Sequence, residues 1–311
     1  MSISPTLKAQ LQMHFCVMLW GFTAILGKLI SLSALPLVWW RMLLVVLALA
    51  MLPTVWRGVR SLPPRLLLAY STIGVLVALH WLTFYGSIKL ANASVAATCI
   101  ALAAPMTALL EPWLARSRFA WRDLAIGIAV LPGVALVVDG VPSGMRAGVW
   151  VGIVSAALVA LFGSLQKRYV HRAEALTVTA VELFVGVLAL TALAPLLTKI
   201  LPSLAGDPYT LPGLRDGVLL LTLALACTLL PFALSLVALR HMSAFSAQLV
   251  VNLEPVYAIA LAIVLLGEQR ELTPTFYLGV AIIFVAVFAH PLLKRLRSAP
   301  RAAGDVGRDS V

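Results

Sequence analysis

Acid–base chemistry in this 311-residue chain rests on few side chains: six glutamates, six aspartates and five histidines. Two of these groups stand out by position. Glu254 precedes Pro255 within VVNLEPVYAIALAIVLLGEQ (Val250 to Gln269), and His80 lies in an equally apolar run. Each is about halfway along a helix long enough to cross a bilayer, roughly 15 to 20 Å from either end. A charged, unpaired carboxylate at that depth costs several kcal/mol. Glu254 is therefore neutral and hydrogen-bonded within a helix bundle, or it lines a cavity where it binds an ammonium group or carries a proton. Gln248, Asn252 and Pro255 recur at spacings of four and three on one helical face, with Glu254 at its border. His80 shares a face with Phe84, and Trp81 shares the adjoining face with Tyr85. Trp20, Thr23, Thr98 and Gln166 add further rings, hydroxyls and amides to other apolar runs. Aromatic walls with a few polar groups suit a small amphipathic ligand.

The remaining buried-run charges allow two readings each. Glu111, one turn from the end of its run beside Arg116 and Arg118, either forms an interfacial ion pair or senses polarity as a coupling residue. Arg41 is within two turns of a helix end and can snorkel to the interface. Glu182 is undecided between the same alternatives, and Trp39 and Trp40 read as interfacial anchors.

The elements that position these groups follow from composition. With 62% hydrophobic and 11% charged residues, the chain has too little polar surface to cover a soluble globule. A span needs roughly 20 mostly apolar residues. Ten runs qualify: 10–31, 35–56, 66–89, 92–115, 120–139, 147–169, 175–198, 217–239, 243–266 and 274–293. Their length and continuous apolarity predict an all-α integral membrane protein rather than a barrel. Sixteen Lys and Arg residues fall on the side of the N-terminus and six on the other, which places both termini in the cytoplasm. The net charge of +11 is thus topology and attraction to anionic lipid, not a nucleic-acid footprint.

The sequence repeats at an offset. FYGSIKLANASVAA (Phe84 to Ala97) aligns with SLVALRHMSAFSAQ (Ser235 to Gln248), so that Lys89 meets Arg240 and Ala93 meets Ala244. Pro105 then falls near Pro255, and Gly127 near Gly279. Lys28 pairs with Arg168 in a weaker match. The expected organisation is a five-helix repeat over 1–140, a second over 141–294 and a basic cytoplasmic tail over 295–311. An odd helix number inserts the second copy upside down, giving two inverted five-helix repeats.

These features, with LWGFTAILGKLI in the first span, WWRMLL in the second, and LEPV followed by LLGEQ in the ninth, resemble the EamA family of the drug/metabolite transporter superfamily. The resemblance implies a secondary transporter that exports amino acids or related amphipathic metabolites across the cytoplasmic (inner) membrane by alternating access, with an uncoupled facilitator or channel as the alternative. The first copy departs from the pattern: where Gly-Glu is usual it reads LEPWLARSRFAW, with Arg116 near the aligned position and Glu111 earlier.

Catalysis is not expected. The aspartates fall at span ends, in loops or in the tail, and no nucleophile elbow, zinc-protease or phosphate-loop motif occurs. Cys16, Cys99 and Cys227 all lie within spans without ligand spacing, so neither a disulfide nor a metal site is expected. No cofactor is implied; the expected partners are a small-molecule substrate and the lipid bilayer, for a chain able to act as a monomer.

Overall fold

The structure, a computed structural model, describes residues 4–298; the remainder of the basic tail, 299–311, lies outside the described residues. Helices occupy every apolar run. α1 (Pro5–Leu29) starts at Ser4, whose hydroxyl accepts from the Leu7 amide at 3.2 Å. α2 (Ala34–Ala50) follows, and α3 (Pro53–Ser61) turns away from it by 96°. The expected single span over 35–56 is therefore corrected: Pro53 forces Leu52 into an extended conformation, and the polar face of PTVWRGVRS has no place in hydrocarbon.

α4 (Pro64–Leu90) is continuous, whereas the next rod is α5 (Ala93–Cys99), a 3-10 turn (Ile100–Leu102) and α6 (Ala103–Leu114). α7 (Trp121–Asp139), α8 (Arg146–Tyr169) and α9 (Ala175–Ile200) come next. α10 (Leu214–Ala224) runs through a π turn (Leu225–Leu229) into α11 (Leu230–Leu239). α12 (Ala244–Val251), α13 (Glu254–Leu266) and α14 (Pro274–Ser298) complete the bundle.

Among the described residues, seven helices are long and apolar enough to cross a membrane, or eight if the bent α2–α3 pair counts as one. The exterior is apolar: Trp113 is 83% exposed and Val264 79%, surfaces that water would not tolerate in such number and lipid does. The protein is a multi-pass membrane protein. Trp39 is not an interfacial anchor but is buried, its indole N–H donating to Thr191 Oγ1 at 2.9 Å.

Four cross-bundle ties hold the helix ends. Asn92 and Ser243 cap α5 and α12 at positions aligned in the repeat. The next two amides of each helix are met by a carboxylate from the other copy. Glu268 accepts from Ala93 N (3.1 Å), Ser94 N (3.0 Å) and Ser94 Oγ (2.7 Å). Glu111 accepts from Ala244 N (3.0 Å) and Phe245 N (2.7 Å). At the opposite kind of terminus, Lys89 donates to Ile30 O (2.5 Å), and Arg240 to Val170 O (3.2 Å) and Ala173 O (2.9 Å). Even the two left-handed residues found among the described residues correspond, Arg116 (φ 57°) and Gly267 (φ 70°). Arg116 thus makes the chain reversal that glycine makes in the second copy.

Candidate functional site

The site begins at the α12–α13 break. Pro255 has no N–H to give, so the chain tightens: Leu253 N donates to Val250 O and Val256 N to Leu253 O, each at 3.0 Å. α13 restarts at Glu254, which places this carboxylate at the positive end of a half-helix dipole. The aligned Pro105 lies just after the 3-10 turn of the α5–α6 rod, so both copies carry an interrupted helix at the corresponding position.

A cavity of about 110 Å³ lies between α1, α2, α4, the 3-10 turn, α6, α8, α11, α12 and α13. It runs from Arg41, Trp81 and Glu254 toward Leu239 and Ala244, at the end of the bundle where α11 gives way to α12. Its walls are aromatic: Trp81 meets Phe232 edge-on at 5.8 Å, and His80 lies 5.3 Å from Phe162 and 6.2 Å from Phe84.

Arg41 is the main addition that sequence reasoning missed. Instead of snorkelling, it is 2% exposed and lines the cavity, with its guanidinium carbon 3.9 Å from the Trp81 ring centroid. Nε donates to Thr228 Oγ1 (2.5 Å) and Nη1 to Tyr85 Oη (2.8 Å). Thr228 is presented by the π turn, where its hydroxyl also donates back to Leu223 O at 2.6 Å. Nη2 has no protein partner among the described residues. Only the WWRMLL phrase hinted at this residue, since its partners are distant in sequence.

Glu254 is the opposite pole. It lines the same cavity at 6% exposure and makes no hydrogen bond or ion pair among the described residues. His80 Nδ1 lies 2.8 Å from Ser155 Oγ and 3.0 Å from Ser155 O, so Ser155 fixes the ring's orientation on the cavity wall. Gln248 lines the cavity with Nε2 unpartnered.

Of the residues singled out from sequence, Trp20, Thr23, His80, Trp81, Gln166, Gln248 and Glu254 come together on the cavity wall. Tyr85 stands behind Arg41 as its support. Thr98 turns its hydroxyl onto Ser94 O, and Asn252 is wholly buried with both amide atoms unpartnered; neither reaches the cavity. Glu111 is not an ion pair with Arg116 or Arg118 but the cap on α12, because two buried amides at a helix start bind a carboxylate better than a solvated arginine does. Phe162, Phe232, Thr107 and Ser235 join the wall without having been anticipated.

Comparison with known proteins agrees with this architecture. The family model described as the EamA-like transporter family matches residues 7–139 and again 146–289. One solved structure, described only as a crystal structure of a protein, superposes with a TM-score of 0.66 at 16% identity, covering 94% of this chain and 99% of that one. At that identity the likeness speaks for the fold alone. No curated protein matches the chain.

Proposed function

We propose that this chain, which belongs to the EamA-like transporter family, is a secondary transporter whose central cavity takes zwitterionic small metabolites, amino acids with apolar side chains foremost. The observation that carries the reading is the pairing of Arg41 and Glu254 on one aromatic-walled cavity, each with capacity left for a ligand. A substrate carboxylate meets Nη2 of Arg41, its ammonium meets Glu254, and its side chain lies among Trp81, Phe84, Phe162 and Phe232. His80 and Gln248 add an imidazole and an amide to the same wall. Two opposite fixed charges at separate places select against simple cations and anions, because each such ion leaves one buried charge unmatched.

Alternating access between two inverted five-helix repeats, with ten crossings, is the proposed mechanism. The reciprocal caps of Glu268 and Glu111, the matching ties of Lys89 and Arg240, and the aligned breaks at Pro105 and Pro255 support an inverted pair. With both termini in the cytoplasm, the end of the cavity lined by Leu239 and Ala244 faces inward, which fits loading for export across the inner membrane.

The test is flux of labelled leucine, phenylalanine, lysine and glutamate in proteoliposomes. Saturable flux of the two apolar amino acids, lost in Glu254→Gln and Arg41→Gln, is the expected result. Preference for lysine or glutamate, or flux unaffected by both substitutions, would overturn the site.

A further inference from the structure

A second acid lies beside the cavity and is not used by the substrate. Glu182 is fully buried, about 10 Å into α9 from Ala175 at 1.5 Å per residue. It is held there by a backbone contact. A Cβ at Gly74 on α4 would lie 2.3 Å from the Glu182 carbonyl oxygen, so only glycine lets the two helices meet at this point. Of its carboxyl oxygens, Oε2 accepts from Gln166 Nε2 at 2.8 Å and Oε1 has no partner among the described residues.

Gln166 is a shared wall. It lines the central cavity and also a chamber of about 10 Å³, the size of a single water site, bounded by Tyr70, Glu182, Leu236 and Arg240. One amide therefore stands between Glu182 and the substrate space. The titratable groups that face the chamber are Tyr70 from α4, whose hydroxyl donates to Tyr169 O, and Arg240 from the end of α11, whose guanidinium rests on Val170 O and Ala173 O. Arg172 of the α8–α9 turn is the further charged group near Tyr70. α2 contributes Arg41 only to the central cavity, and Arg57 and Arg60 on α3 are exposed.

We infer that Glu182 is a proton-binding site linked to the substrate cavity through Gln166, with Arg240 the cation that meets its carboxylate when the proton leaves. In the protonated state Oε1 carries the hydrogen and Oε2 is the carbonyl that Gln166 donates to. Loss of the proton to a water in the chamber leaves a buried anion lining the same space as an arginine engaged only with carbonyls. Moving Arg240 onto that anion releases the α8–α9 turn it ties down. Gln166, losing or gaining donor strength toward Glu182, carries the change to the ligand.

The coupling role rests on the transport reading, but the proton site does not. Infrared difference spectra of the reconstituted protein titrated from acid to alkaline pH are expected to show loss of a protonated-carboxyl C=O band. That band should be absent in Glu182→Gln and shifted to higher frequency in Gln166→Leu, which removes its hydrogen bond. An undiminished band in Glu182→Gln, or one unmoved in Gln166→Leu, would overturn the proposal. With leucine as flux probe, accumulation driven by a pH gradient should be lost in Glu182→Gln while leucine exchange persists; accumulation retained in that variant overturns the coupling. Absence of leucine flux in the unsubstituted protein counts against the transport reading and leaves the infrared outcome to decide the proton site.

Discussion

Replacing Glu268 by Ala tests the reciprocal caps, and the cost follows from three contacts. The carboxylate is 1% exposed and accepts from Ala93 N, Ser94 N and Ser94 Oγ. The Ser94 hydroxyl can rotate toward another acceptor, but the two amides are the start of a buried helix and lack intrahelical partners. Leaving a buried donor unsatisfied costs about 1 to 3 kcal/mol, so two leave roughly 2 to 6 kcal/mol before relaxation. Asn92 still caps the Val95 amide at 2.9 Å, so α5 is weakened and not unravelled. Glu271 provides the control, since it is exposed and makes one bond, to Asn92 Nδ2 at 3.1 Å. Its replacement by Ala strands the single Asn92 Nδ2 donor, which solvent can reach where the exposed Glu271 stood, so it should cost at most about half as much, roughly 1 to 3 kcal/mol. Thermal unfolding in detergent, followed by intrinsic fluorescence, compares the two. A large drop in midpoint for Glu268→Ala and Glu111→Ala, against a smaller one for Glu271→Ala, is expected. Equal small drops for all three would refute the argument that these carboxylates hold the half-helices.

Arg41→Lys keeps the charge but loses the two bonds to Thr228 and Tyr85; a charged hydrogen bond is worth about 1.5 to 3 kcal/mol, so the KM for a carboxylate-bearing substrate should rise by about ten- to a hundredfold. Flux kinetics check it. Gln248→Leu removes a buried, unpartnered donor, and should raise the unfolding midpoint while abolishing ligand-induced stabilisation in the same melting assay. Gly74→Ala drives a methyl into the Glu182 backbone and should destabilise by about 1 to 3 kcal/mol, whereas Gly144→Ala, with nothing within 4 Å, should leave the melting curve unchanged.

The membrane class and the helical rods were legible because they depend on apolar run length, a local property. The Glu-Pro break was legible for the same reason: an unusual residue pair announces itself wherever it stands. Other features depend on what comes from elsewhere in the chain. Arg41 read as a snorkelling residue because depth along its own helix says nothing of Thr228, which a π turn brings to it. Glu111 read as an ion-pair member because arginines lay close in sequence, while its true partners are the amides of Ala244 and Phe245. The bend after α2 could have been anticipated, since Pro53 and the basic face that follows it stand in plain view.

The central claim is that one cavity reads both ends of a zwitterion. Calorimetric binding of leucine, N-acetylleucine and leucinamide to the detergent-solubilised protein and to its Glu254→Gln and Arg41→Gln variants tests it most directly. Leucine is expected to bind the unsubstituted protein, N-acetylation to cost as much affinity as Glu254→Gln, amidation to cost as much as Arg41→Gln, and each paired loss to be non-additive. Binding of N-acetylleucine as tight as that of leucine would contradict it.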